Sequence, residues 1–241
     1  MRNLIIGDVH LKIKKVQTIL DEEKYDKVYF LGDFFDDWDD SPLANFIMAE
    51  YLNKIMKDPR LEFIIGNHDA HYFWPNRDIR CSGYEYDKYT SIGDILDKTM
   101  VGKRFRFHHV VDDWLLTHAG LHPGWLQGQK TLKEIDLYLL TEKVKCCDAL
   151  KQGKQHWFFT VGSSREGRAP FGGIEWCDAY AEFEAIPDIK QVFGHTFCGA
   201  EGRVNKPYWP RENNVDIDTA MNYYAIIENG KLEIKDYYLL T

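Results

Sequence analysis

Asn3-Leu4-Ile5-Ile6-Gly7-Asp8-Val9-His10 opens the chain with a short apolar run that stops at a glycine and then presents a carboxylate and an imidazole. The same design recurs twice within seventy residues. Lys27-Val28-Tyr29-Phe30-Leu31 runs into Gly32-Asp33, and Leu61-Glu62-Phe63-Ile64-Ile65 runs into Gly66-Asn67-His68-Asp69. Apolar runs of this length bounded by glycine read as buried strands. Between them, residues 12–23 predict a helix. Ser41-Pro42 predicts an N-cap and first helical position for a second helix, which ends near Lys57 ahead of Asp58-Pro59. The order strand–helix–strand–helix–strand implies parallel strands joined by right-handed crossovers. In such sheets, sites form beyond the carboxyl ends of the strands. The polar residues of all three strand ends therefore converge on one edge.

Further along, residues 70–90 are rich in aromatics and arginine and read as a long loop or lid. Residues 104–111, 113–117 and 189–193 read as strands, the last ending in Gly194-His195, and residues 131–150 read as a helix. Tyr223–Glu228 and Leu232–Tyr238 flank Asn229-Gly230, the signature of a hairpin. From the residues alone, the class is α/β with an antiparallel end. With no repeat or linker in the 241 residues, one domain over 1–241 is expected.

Hydrophobic residues at 44% and charged residues at 28% suit a globular protein. The net charge of −8 and the absence of a basic run disfavour long nucleic acid as a partner. Five cysteines without a C-x-x-C pattern read as reduced and mostly buried. No segment reads as a signal peptide or membrane span, so a cytoplasmic protein without a membrane partner is expected.

Four of the nine histidines, His10, His68, His118 and His195, directly follow a strand-like run or its glycine. One histidine in such a place is commonly structural. Four, joined by Asp8, Asp33 and Asn67, form a mixed nitrogen and oxygen donor set suited to borderline and hard divalent ions. An aspartate has lone pairs enough to bridge two ions. Two ions clamp the oxygens of an in-line phosphoryl displacement.

These residues resemble the calcineurin-like metallophosphoesterases. The resemblance rests on five segments in order: Asp8-Val9-His10, Gly32-Asp33-Phe34-Phe35-Asp36, Gly66-Asn67-His68-Asp69, Thr117-His118-Ala119-Gly120 and Gly194-His195-Thr196. It implies a four-layer α-β-β-α sandwich of two mixed sheets flanked by helices. It also implies a hydrolase that cleaves a phosphate ester or anhydride by attack of a metal-bridging hydroxide. Asp8 and His10 would hold the first of two divalent ions, Asp33 would bridge both, and Asn67, His118 and His195 would hold the second. Manganese is expected first, with iron, zinc or nickel as alternatives. His68 would protonate the leaving oxygen, oriented by Asp36.

Within the family, the branch of serine/threonine protein phosphatases, lambda-type phosphatases and diadenosine tetraphosphate hydrolases is the most similar. Phe197 stands where many members carry a further histidine. Asp37-Trp38 stands where that branch carries the arginine that grips phosphate. Arg165, Arg168 and Arg77, with Arg80, are the candidates to replace it.

Asp37, Asp39 and Asp40 read as a solvated loop or helix start whose charge repels polyanions. Tyr72-Phe73-Trp74-Pro75 offers rings for nucleobase stacking or for packing. His71 and His122 lie near enough to the motifs to support them. The expected substrate is a small phosphorylated molecule, nucleotide-like in the first reading. A phosphoprotein is the alternative, and a non-catalytic metal-binding module the third reading.

Overall fold

A computed structural model describes residues 1–240. In chain order, the first half contains β1 (Arg2–Ile6), α1 (Ile13–Glu22), β2 (Lys27–Phe30), α2 (Pro42–Ile55), β3 (Leu61–Ile64), α3 (Asn67–Phe73), α4 (Tyr86–Ile95) and α5 (Lys98–Arg104). Then follow β4 (Phe105–Arg106), β5 (His108–Val111), β6 (Trp114–Thr117), α6 (Leu132–Lys151), β7 (Lys190–Phe193), β8 (Tyr208–Arg211), β9 (Asn214–Asp216), β10 (Tyr223–Glu228) and β11 (Lys231–Asp236).

Two mixed sheets result, ordered β11-β10-β1-β2-β3-β4 and β5-β6-β7-β9-β8. Strands β1 to β4 pair in parallel, and the hairpin β10–β11 adds antiparallel strands beside β1. The hairpin turns at Asn229 and Gly230, both with positive φ, as a tight two-residue turn requires.

Alternation along each strand builds the layers. Ile5, Tyr29, Leu31 and Ile64 of the first sheet meet Leu116, Val192, Val215 and Ile217 of the second in one apolar cluster. The intervening Leu4, Ile6, Val28, Phe30 and Phe63 belong to the cluster that Val16, Ile19, Met48 and Leu52 of the helices complete. Helix α6 contributes Ile135, Leu139, Cys146 and Leu150 to the cluster that includes Leu115 of β6. This is the α-β-β-α architecture expected.

Local signals place the helices. The Ser41 side chain accepts from the Ala44 N–H, with Pro42 following. Thr131 and Glu134 cap α6 reciprocally.

Two expectations fail. Residues 70–90 are not a loop: α3, a 3-10 turn at Arg77–Ile79 and the start of α4 occupy most of them. The strand expected over 104–111 is two strands. Phe105–Arg106 pairs with β3 in the first sheet, while His108–Val111 pairs with β6 in the second. Between them Phe107 is buried against Phe158, Phe159 and Trp74, where the chain passes from one sheet to the other. A period of two cannot reveal a change of sheet. Among the described residues, no helix is long and apolar enough to cross a membrane.

Candidate active site

Five strands deliver polar residues to one edge of the sandwich. Asp8 and His10 follow β1, Asp33 and Asp36 follow β2, and Asn67 and His68 begin α3 just after β3. His118 follows β6 and His195 follows β7. His10, Asp33, Asp36 and His195 all take positive φ. Left-handed backbone at a non-glycine residue is uncommon and is over-represented at functional sites.

Asp33 is the centre. Its Oδ2 lies 3.7 Å from His10 Nε2 and 3.5 Å from His118 Nε2, and its Oδ1 accepts the His68 N–H at 2.9 Å. Ligand-capable atoms of Asp8, His10 and Asp33 fall within 4.8 Å of one another, as do those of Asp33, His118 and His195. The two groups share Asp33. The His195 N–H donates to both Asp8 oxygens, at 3.1 and 3.0 Å. Asn67 Oδ1 lies 2.9 Å from both His118 Nε2 and His195 Nδ1. Gly66 and Gly194 permit these approaches. A Cβ on Gly66 would sit 2.1 Å from Asp33 Oδ1, and one on Gly194 2.0 Å from Asp8 Oδ1.

The backbone sets two tautomers. His118 Nδ1 lies 2.9 Å from the Leu31 carbonyl and His10 Nδ1 2.6 Å from the Asp36 carbonyl. A carbonyl only accepts, so each Nδ1 carries the proton and each Nε2 turns a lone pair toward Asp33. Burial holds His118 and His195 below the usual imidazole range, in the neutral form that binds metal. Burial also opposes ionisation of Asp33, but its carboxyl stays low, helped by charged His68 and by the His68 N–H. Asp8 is pushed up by burial and by the charges of Asp218 and Asp33.

A second cluster surrounds Asp36. Its carboxylate accepts from Tyr72 Oη at 2.7 Å and from Lys88 Nζ at 3.3 Å. The ring nitrogens His68 Nδ1 and His71 Nε2 lie 3.0 and 3.1 Å from its Oδ2. Burial raises the Asp36 carboxyl, yet the bonds to His68 and His71 win and depress it well below the carboxylate range. For His68, burial favours the neutral ring, while Asp33, Cys81 and Asp36 together push it up. Cys81 Sγ stands 3.3 Å from His71 Nδ1, and the imidazoles lower its thiol against burial to about 7.

Among the residues singled out from the sequence, the eight of the metal and acid–base sets come together. Arg165 also reaches the edge: its Nε donates to Asp178 at 3.0 Å and its Nη2 to Thr196 Oγ1 at 3.3 Å. Arg168 and Arg77 do not. Both are exposed, and among the described residues no hydrogen bond or ion pair joins either to the site. Arg80 lies over the Tyr84 ring. Tyr72 is buried on Asp36 and Trp74 stacks on Phe107, so the loop expected to offer rings to a base is spent on packing. His71 supports Asp36, whereas His122 stacks on Phe171. Asp40 is half-buried, with its carboxylate turned inward from solvent into an ion pair with Lys88. Nothing in the residue pattern pointed to Lys88: a lysine is expected at the surface.

The family model for calcineurin-like phosphoesterases matches residues 1–199. The chain belongs to that family. It is therefore a metal-dependent phosphoric ester hydrolase by membership. A symmetrical bis(5'-nucleosyl)-tetraphosphatase from Glaesserella parasuis serovar 5 (strain SH0165) is 26% identical over 219 residues, spanning 85% of this chain and 71% of that protein. Two crystal structures of cold-active protein tyrosine phosphatase superpose on 98% of the chain. One, solved at 1.1 Å, matches at TM-score 0.63 and 16% identity over 76% of its length. The other, from a psychrophilic Shewanella species, matches at 0.54 and 16% over 78%. At that identity they establish the fold alone.

Membership implies a dinuclear divalent centre, and the donor set fits it. Two three-residue groups share one carboxylate, both imidazoles of known tautomer present lone pairs, and His195 Nε2 is buried without a partner in the described residues. His118 Nε2 faces Asn67 Oδ1 and Asp33 Oδ2, acceptor against acceptor, an arrangement that a cation relieves.

Proposed function

We propose that Asp8, His10 and Asp33 hold one divalent ion and that Asp33, Asn67, His118 and His195 hold the other, with manganese the first choice. The sharing of Asp33 between two donor groups carries this reading. Bound ions of this kind supply Lewis-acid charge to a phosphoryl group and make water nucleophilic near neutral pH. His68 delivers a proton to the departing oxygen, and Asp36 fixes the ring and favours its charged form. Arg165, steadied by Asp178 and Thr196, takes the phosphate oxygens.

The substrate we infer is a small nucleotide, in the manner of a nucleoside polyphosphate. The relative named for a bis(5'-nucleosyl)-tetraphosphate supports this class. The test is turnover of a nucleotide panel against a phosphopeptide panel with added manganese. Nucleotide turnover should dominate and vanish in Asp33→Asn. Phosphopeptide turnover far above nucleotide turnover would replace this substrate with a phosphoprotein. Metal binding with no turnover of either panel would make the chain a non-catalytic module.

A further inference from the structure

Helix α6 leaves an apolar ridge in solvent. Its inner face buries Ile135, Leu139, Glu142, Cys146 and Leu150. On the opposite face Leu137 is 67% exposed, Leu140 46% and Val144 62%. Their spacing of three then four residues is that of a coiled-coil seam. Lys133 lies four residues before the seam and Asp148 four residues after it, on the same face and both exposed. Neither makes an ion pair among the described residues. Three large exposed apolar side chains on one ridge differ from singly scattered ones, which need no explanation.

The ridge is complementary to itself in one orientation. Leu137 and Val144 are equidistant from the midpoint between Leu140 and Thr141, and so are Lys133 and Asp148. A second copy laid antiparallel about that midpoint puts Leu137 on Val144, Leu140 beside Thr141, and Lys133 against Asp148, each contact made twice. A parallel copy would set lysine on lysine and aspartate on aspartate, so charge selects the antiparallel pair. This is the isologous contact of a two-fold dimer.

We propose that α6 is a self-association surface, occupied by the α6 of a second copy of this chain in antiparallel register. A 20-residue helix is about 30 Å long. One helix pair buries less than the ~1,200 Å² at the low end of stable interfaces. The dimer is therefore weak and reversible. Helix α6 carries none of the candidate active site's residues.

Sedimentation equilibrium over a concentration series, from micromolar to millimolar chain, tests it. The weight-average mass should rise toward the dimer. Leu137→Glu should abolish the rise. Lys133→Glu should weaken association by about tenfold or more, since each change is felt at two contacts. Lys133→Glu combined with Asp148→Lys should restore it. The fold of every variant is checked by its unchanged hydrolase activity. A wild-type chain that stays monomeric throughout overturns the proposal. So does association indifferent to Leu137→Glu, or a charge swap that fails to restore what the single reversal lost.

Discussion

Asp36→Asn removes one charge and almost no volume from a buried, crowded carboxylate. Four donors converge on it: His68 and His71 rings, the Tyr72 hydroxyl and the Lys88 ammonium. An amide offers one accepting oxygen and turns two N–H donors toward groups that also donate. Lys88 keeps Asp40, so its charge is not stranded. Breaking a buried pair costs about 3–5 kcal/mol, and the retained Asp40 contact places the expected loss near the lower figure. The urea midpoint should fall accordingly. Catalysis should fall further. His68 loses the partner that holds its tautomer and favours its charged form. The rate should drop by much of the ~10²–10⁴-fold that general acid help contributes.

Two measurements isolate that route. Hydrolysis of phenyl phosphate, whose leaving oxygen needs a proton, should suffer more than hydrolysis of p-nitrophenyl phosphate, which does not. In a His68→Ala background, Asp36→Asn should cost little further activity, because coupled residues are not additive. Equal losses on both esters, together with full additivity, would refute the assignment of Asp36 as the residue that positions His68.

Two other perturbations follow from single distances and charges. Gly66→Ala sets a Cβ 2.1 Å from Asp33 Oδ1 and must displace that carboxylate. Metal content per chain should fall, and activity should drop by about a hundredfold, as a 1 Å misplacement does. Full metal content would separate Asp33 from the metal centre. Burial, with His108 and nearby cations, holds His109 down at about 3. An unfolded imidazole titrates near ~6.5, so between these values only the unfolded chain takes the proton, and stability falls as pH drops. At pH 5 this costs roughly 2 kcal/mol. His109→Phe should flatten the acid limb of urea midpoint against pH by one proton's worth, and an unchanged limb would count against it.

What could be read from the residues follows the strands. Asp8, Asp33, Asn67 and His195 were legible because each stands where an apolar run breaks, and parallel pairing carries every such break to one edge. Lys88, Tyr72 and Cys81 were not. They lie in α3, α4 and the turn between them. These elements are short, and helix α4 buries only Lys88 and Ile92, so it shows little apolar period. A lysine buried by two aspartates looks the same in a sequence as one in water. The split of residues 104–111 was invisible for a related reason. The residues run on without a turn signal, and only the position of Phe107 between two sheets separates the halves.

The acidic run from Asp36 to Asp40 changes meaning once Lys88 and Lys12 are placed. Read as a solvated loop, it would repel any phosphate. In the fold, Asp36 and Asp40 close on Lys88, and Asp37 pairs with Lys12 at 2.9 Å. Three of the run's four carboxylates are thus paired within the protein. Lys88 points inward to two carboxylates and is unavailable to a substrate. An arginine following Asp36, as the related branch has, would supply a cation from the first sheet. Here that cation is absent, and a guanidinium reaches the site instead from the 3-10 turn Ser163–Arg165, between α6 and β7. Arg165 reaches Thr196 beside His195, and its charge helps hold His195 neutral. Nε is spent on Asp178 and Nη2 on Thr196, which leaves Nη1 without a partner among the described residues. A guanidinium so anchored meets an anion with little ordering cost. If this is how phosphate is held, Arg165→Lys cannot substitute, because an ammonium cannot keep Asp178 and Thr196 in that geometry and still offer a fork. Inhibition by inorganic phosphate should then weaken in Arg165→Lys nearly as much as in Arg165→Ala. Full retention of phosphate inhibition in both would return the question to the exposed Arg168 and Arg77.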